Sequence, residues 1–106
     1  MPEVFLTARI TAKPGHEAEV EAAFRALLEP THAEDGCLRY ALHRVVDAPG
    51  QLLFVERWSS REALDAHLAT DHLVNVGKVT EGLLACPVEL TFLEPLPGGD
   101  PGLGSI

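Results

Sequence analysis

The sequence predicts an α+β fold in which strands and helices follow one another in the order βαββαβ. Three observations predict it: four segments alternate apolar and polar residues, two segments between them have the helical period of 3.6, and the turn-forming "DAPG" joins the second and third strands. The simplest sheet that joins these elements through right-handed crossovers is the four-stranded antiparallel sheet of the ferredoxin-like topology. The second and fourth strands are then its opposite edges.

The first half of the chain provides a strand, a helix and a second strand. Residues 4–12 alternate in the period of two that is typical of a strand. Apolar residues at helical spacing follow, and Pro30 predicts a kink or an early end of this helix near Glu29. Residues 36–46 form the second strand, and residues 47–50 turn the chain back to make a hairpin.

The second half repeats this pattern with a divided helix. The third strand lies within "LLFVERWSS", residues 52–60, and Ser59 or Ser60 can cap the helix that follows. The "ATD" segment bends the chain into a second helical piece over residues 72–84. Residues 86–96 form the closing strand.

A chain of 106 residues has the length of one domain, which we place at residues 1–96. The Gly/Pro-rich residues 97–106 are expected to form an irregular C-terminal arm. No apolar run reaches the roughly 20 residues that span a bilayer, so no membrane association is expected. The N-terminus also lacks the basic and apolar regions of a signal peptide, which favours a cytoplasmic protein.

The charge balance and the cysteines limit the possible partners. The chain has 16 acidic and 8 basic side chains without a Lys/Arg cluster, so its field repels a phosphate backbone and nucleic acid is not an expected partner. Cys37 and Cys86 are expected at opposite edge strands, which argues against an intrachain disulfide. Two free thiols agree with a reducing compartment.

The third strand is apolar on both faces. Leu52 and Phe54 lie on one face, while Leu53 and Val55 lie on the other, although the helices cover only one side of the sheet. A second copy of the chain, packed sheet to sheet as a homodimer, is the simplest cover for the other side. The alternative is that Leu53 and Val55 are tolerated as apolar surface.

Glu56 is a carboxylate in the otherwise apolar row of Leu52, Phe54 and Trp58. If this row faces the helices, Glu56 is desolvated, which raises the pKa of a carboxyl group and suits it to proton exchange or to holding an imidazole. The alternative places Glu56 at the sheet margin, solvated or salt-bridged, with Trp58 as a core residue.

Two histidines in "HLATDHL" are the other candidates. His67 lies on the apolar stripe of its helix and points toward the interior that Glu56 faces, although a lone histidine there is more often a hydrogen-bonded core residue. On one continuous helix His67 and His72 diverge, so they converge only if the chain bends at Thr70 and Asp71. The sequence indicates no third ligand beside them, and no metal site is predicted.

The ordered set G-C-x-x-Y, E-x-W and H-L-x-T-x-H-L resembles the antibiotic biosynthesis monooxygenase family, and in particular its quinol monooxygenase-like branch. The resemblance extends over residues 4–93. It implies a dimeric α+β barrel built from two ferredoxin-like sheets. It also implies oxidation or oxygenation of an electron-rich aromatic, such as a hydroquinone or a polyketide anthrone, with O₂ and without flavin, haem or metal.

The resemblance further implies a pocket between the sheet and the helices of each subunit. The matching positions are catalytic His67 and Glu56, and substrate-binding Trp58, His72, Tyr40 and Arg9. In this scheme His67 is a base oriented by Glu56, Trp58 stacks on the substrate ring, and Arg9 or His72 holds an oxyanion.

Two other functions remain open at this point. The same fold suits a non-catalytic dimer that binds a small molecule, or an isomerase or lyase in which His67 shuttles a proton without O₂. Haem degradation is not expected, because Ala8 and Gly77 stand where haem-degrading relatives have Asn and His.

Overall fold

The computed structural model describes residues 2–106, which form four strands and four helices. The strands pair antiparallel in the order β2-β3-β1-β4, which confirms the ferredoxin-like topology with β2 and β4 at the edges. The elements are β1 (Val4–Thr11), α1 (Glu17–Arg25), α2 (Leu28–His32), β2 (Cys37–Arg44), β3 (Gln51–Trp58), α3 (Arg61–Leu68), α4 (Asp71–Val79) and β4 (Glu89–Leu93).

The first helical segment breaks earlier than predicted. The helix α1 ends at Arg25 and α2 begins at Leu28, so the break precedes the expected kink near Glu29. Pro30 is the third residue of α2. There the missing N–H has little effect, because first-turn N–H groups have no acceptor within the helix.

The fourth strand is shorter than the predicted 86–96, and α4 ends before the predicted residue 84. Between them the chain is held against the end of β1. Lys13 N donates to the carbonyl of Leu83 at 2.9 Å, and Ala85 N donates to that of Thr11 at 2.8 Å. These hydrogen bonds pair main-chain groups of residues 83–85 with the end of β1. The segment therefore belongs to neither α4 nor β4.

The two faces of the sheet differ as the alternation predicts. The side chains of Leu6, Ile10, Phe54 and Trp58 are buried on the face that the helices cover, where they form the core with residues from α1, α3 and α4. Arg9 projects from the opposite face. The fold therefore places Glu56, which shares the face of Phe54 and Trp58, on the helix side.

Three further features concern the chain as a whole. Arg57 donates to the carboxylate of Glu3 at 2.8 Å and to the main-chain oxygen of Ile106 at 3.1 Å, so the C-terminal arm folds back toward the start of β1. Cys37 and Cys86 are both free, as predicted. Among residues 2–106, no helix has the length and apolar character needed to cross a bilayer.

Candidate functional site

A cavity of about 590 Å³ opens between the helix side of the sheet and the helices α3 and α4. Its wall is mostly apolar. The polar side chains on it include Tyr40 from β2, Glu56 from β3, His67 from α3 and Thr80 after α4. An apolar cavity with a few converging polar groups is the usual form of a small-molecule site.

Glu56 is 4% exposed and lies opposite Tyr40 in the pairing of β2 with β3. The indole Nε1–H of Trp58 donates to its Oε1 at 2.9 Å. Burial raises the pKa of Glu56 to about 7; the Trp58 hydrogen bond opposes this shift, and the charge of Glu34 adds to it. Glu56 is therefore a desolvated carboxyl group, and the alternative of a solvated residue at the sheet margin is wrong.

His67 is 2% exposed and lies on the cavity wall. Its ring packs against Trp58, with ring centroids 4.6 Å apart, and against Tyr40 at 5.3 Å. Nδ1 lies 2.9 Å from Oε2 of Glu34. The other nitrogen, Nε2, makes no hydrogen bond within residues 2–106 and is not among the fully buried unpaired atoms, so it remains available to a molecule in the cavity.

Glu34 was not among the residues that the sequence suggested. It lies in the loop between α2 and β2 and accepts hydrogen bonds that the prediction assigned elsewhere. The structure does not show the predicted orientation of His67 by Glu56: Trp58 donates to Glu56, and Glu34 pairs with His67. The only signal was an acidic residue two positions before the "GC" that begins β2.

His72 meets the same carboxylate from α4. Its Nε2 lies 2.7 Å from Oε2 of Glu34, and its ring centroid is 6.4 Å from that of His67. The predicted bend at Thr70 and Asp71 is confirmed, since α3 ends at Leu68 and Thr70 caps α4. His72 is outside the cavity wall, however, so this cavity gives no support to the prediction that it contacts substrate.

Gly36 determines how closely the loop that carries Glu34 approaches α3. Its φ of +84° is in the left-handed region, and a Cβ there would be 2.6 Å from both Ala63 Cβ and Ser59 Oγ. Ser59 N donates to the Gly36 carbonyl at 2.8 Å. The absence of a side chain therefore allows the loop to bring Glu34 to His67.

Two other predicted substrate contacts also lie off the cavity wall. Arg9 is exposed on the opposite face of the sheet, where it donates to Gln51 at 2.8 Å, because strand alternation turns it away from Ala8 and Ile10. Trp58 is fully buried behind the cavity wall. It supports Glu56 and His67 and does not itself lie where it would stack on a ligand.

Tyr40 keeps its predicted place on the cavity wall. It stacks on Phe54 with ring centroids 4.4 Å apart. Burial, followed by the nearby charge of Glu56, raises the pKa of Tyr40 well above its ordinary value. Its phenol therefore stays neutral and can donate a hydrogen bond.

The fold and the site define a small α+β protein with an apolar cavity. A histidine lies on the cavity wall, and a carboxylate outside the wall pairs with one nitrogen of its ring. The sequence profile of the antibiotic biosynthesis monooxygenase family matches residues 3–77. The chain belongs to this family, as its motifs predicted.

Individual relatives agree with this assignment. The chain is 39% identical over 93 residues to the protein named "Putative monooxygenase Rv0793" of Mycobacterium tuberculosis. This match covers 88% of this chain and 91% of that protein. The solved structure of Rv0793 matches this structure with a TM-score of 0.84 and 36% sequence identity. The match covers 93% of this chain and 100% of the Rv0793 chain. The crystal structure of PA3566 from Pseudomonas aeruginosa matches this structure with a TM-score of 0.86 and 35% sequence identity. The match covers 92% of this chain and 97% of that chain.

Proposed function

We propose that the protein is a cofactor-independent monooxygenase or quinol oxidase that acts on an electron-rich aromatic, such as a hydroquinone or an anthrone, with O₂. The observation that carries the proposal is His67, which lies on the wall of an apolar cavity with Nδ1 held by Glu34 and Nε2 not engaged by another residue of the described chain. Membership of a monooxygenase family supports the reaction class. The substrate class rests on the family resemblance and on the aromatic and aliphatic cavity wall.

The proposed reaction requires the protein to supply a base rather than a redox centre. An ionised hydroquinone or anthrone passes an electron to O₂ much more readily than the neutral molecule, so removal of a proton starts the reaction. In monooxygenation of an anthrone, the CH₂ group and O₂ become C=O and H₂O. In oxidation of a hydroquinone, two hydrogens and two electrons pass to O₂ and give quinone and H₂O₂.

Three side chains have roles in this scheme. An ionised Glu34 can only accept, so Nδ1 of His67 carries the proton and Nε2 keeps the lone pair that accepts the substrate proton. The neutral phenol of Tyr40 donates to the substrate oxyanion. Glu56, whose pKa is about 7, exchanges protons with the reduced oxygen species. Glu34 is thus a positioning residue.

An oxygen electrode and ¹⁸O₂ test the proposal with a panel of hydroquinones and anthrones. We expect O₂ uptake that a chelator does not lower, with ¹⁸O in the product for monooxygenation or H₂O₂ for quinol oxidation. Saturable binding without O₂ uptake would instead support the non-catalytic dimer. Proton exchange from substrate without O₂ uptake would support the isomerase or lyase.

Gly77→Phe is expected to abolish substrate binding without unfolding the protein. Gly77 lies on the cavity wall in α4, and a Cβ at this position meets no atom within 4 Å. The ring therefore has room to enter the cavity. Gly77→Ala is the matched control, because it leaves most of the cavity open and favours the helix by about 1 kcal/mol. Equal KM values for the two variants would show that substrate binds elsewhere.

We also propose that the protein is a homodimer joined sheet to sheet. Leu53 and Val55 project from the face that the helices leave open; Ala41 pairs with Val55, and Leu93 lies on the same face beside Phe5. We expect sedimentation to give twice the 11.4 kDa chain mass. Val55→Lys places a charge in this face and should yield monomers, whereas Ala22→Lys on the exposed side of α1 should not. A wild-type monomer would contradict the proposal.

We place the enzyme in the cytoplasm. Cys37 and Cys86 are both free thiols. A reducing compartment keeps such thiols reduced. This location also agrees with the expectation from the sequence.

A further inference from the structure

We propose that Glu34, His67 and His72 form a binding site for a divalent transition-metal ion of the zinc class, and that an ion bound there turns off His67 as a base. The site itself stands on geometry alone. Its effect on the reaction rests on the function proposed above. The two claims are therefore tested by separate measurements.

The three donor atoms already converge. Oε2 of Glu34, Nδ1 of His67 and Nε2 of His72 all lie within 4.8 Å of one another, with Oε2 at 2.9 Å and 2.7 Å from the two nitrogens. Zinc binds such donors at about 2.0–2.2 Å, which separates tetrahedral ligand atoms by roughly 3.3–3.5 Å. To admit an ion, the two oxygen–nitrogen distances must lengthen by about half an ångström, and the two nitrogens, which are at most 4.8 Å apart, must settle at the same ligand spacing.

The donor types select the class of metal. Two imidazole nitrogens and one carboxylate oxygen suit zinc and its first-row neighbours, whereas Mg²⁺ and Ca²⁺ prefer all-oxygen sites. Three protein ligands leave a coordination position for water. The carboxylate also offsets part of the ion's charge, so the ion does not enter an uncompensated site.

The cluster is preorganised on one side and open on the other. The ring of His67 is fixed between Trp58 and Tyr40. The side chain of Glu34 is 13% exposed and that of His72 is 27% exposed, which gives an ion a route from solvent. Because neither Glu34 nor His72 is on the cavity wall, this route avoids the cavity, and the ion itself does not contact substrate there.

A metal at this site changes which nitrogen of His67 carries its proton. In the metal-free protein Nδ1–H donates to Glu34, and the lone pair of Nε2 faces the cavity. Coordination uses the lone pair of Nδ1, so the one proton of the neutral ring moves to Nε2. Nε2–H can donate to a ligand but cannot accept a substrate proton. The bound metal therefore inhibits the proposed reaction.

Metal binding is measured directly, with Zn²⁺ in competition with a chromophoric chelator and with Co²⁺ as a spectroscopic probe. We expect one ion per chain and the visible absorption of four-coordinate Co²⁺. His72→Gln keeps a donor to Glu34 but removes the imidazole ligand, and should weaken binding at least tenfold. His16→Gln removes a histidine outside this cluster, at the start of α1, and should leave the affinity unchanged. Equal affinities of wild type and His72→Gln would overturn the site.

The effect on His67 has its own readout. Zn²⁺ should move the ring proton from Nδ1 to Nε2, which the ¹⁵N chemical shifts of the imidazole report without any substrate. In the oxygen assay Zn²⁺ should inhibit the wild type much more than His72→Gln, each relative to its own metal-free rate. Binding that leaves the His67 tautomer unchanged would overturn the switch while the site stands. If no hydroquinone or anthrone supports O₂ uptake, the proposed function is wrong, while the metal site still stands on the binding measurement.

Discussion

Replacement of His67 by Gln should lower the rate of the proposed O₂-dependent oxidation by about 10²–10⁴-fold, the usual contribution of a general base. His67 is the residue whose free ring nitrogen opens onto the cavity, and Gln has no basic nitrogen to replace it. The amide of Gln can still donate to Glu34, so the buried carboxylate keeps a partner. Steady-state oxygen uptake measures the effect, with a thermal melt to show that the variant is folded.

Glu34→Gln separates positioning from catalysis. Glu34 does not lie on the cavity wall and acts only through His67, so its loss should lower kcat more than it changes KM and should alter the pH dependence of kcat. His16→Gln, at the start of α1, is the control and should react like the wild type. A His67→Gln protein as active as the wild type would show that another group removes the proton.

Glu56→Gln stabilises the protein by about 3 kcal/mol at about pH 8 and by little at about pH 4. The folded-state pKa of Glu56 is about 7, above its ordinary value of 4.5, so the folded protein holds this proton more tightly than the unfolded chain does. Wild-type stability therefore falls as the pH rises from about 4.5 to about 7 and then levels off. Gln cannot ionise and escapes this loss, while its amide oxygen still accepts from Trp58.

Chemical denaturation at a series of pH values measures this difference, with Glu94→Gln as the control. Glu94 is exposed after β4, so its replacement should not reproduce the pH-dependent gain. The gain should appear over the window between the two pKa values of Glu56. A Glu56→Gln curve parallel to that of the wild type at every pH would show that Glu56 is ionised without cost in the folded state.

The sequence was sufficient for those parts of the site that depend on strand alternation. Period two placed Glu56 and Trp58 on the helix side of β3, and the structure has them there. The same rule placed Arg9 on the opposite face, and only the family resemblance suggested it as a substrate contact. Strand alternation predicted the position of Arg9 correctly, because a strand residue cannot change face unless the register of the whole strand shifts.

Glu34 could not be found in this way, because its role depends on contacts that are distant in the sequence. It is 33 positions from His67 and 38 from His72, and it lies in a loop with no period of its own. The helix break has a similar cause. Pro30 was expected to end a helix, but the position of a proline within a turn decides its effect, and that position depends on where α2 begins.

The close approach of Gly36 to α3 also has a consequence for reading related sequences. Any side chain at this position would force the loop away from Ala63 and would have to adopt a left-handed φ. A chain could then keep the same sheet and helices while Glu34 no longer reached His67. Glycine at the position equivalent to 36, together with the acidic residue two before it and the two histidines, is therefore a sequence marker for the carboxylate-positioned imidazole. Fold similarity alone does not identify it.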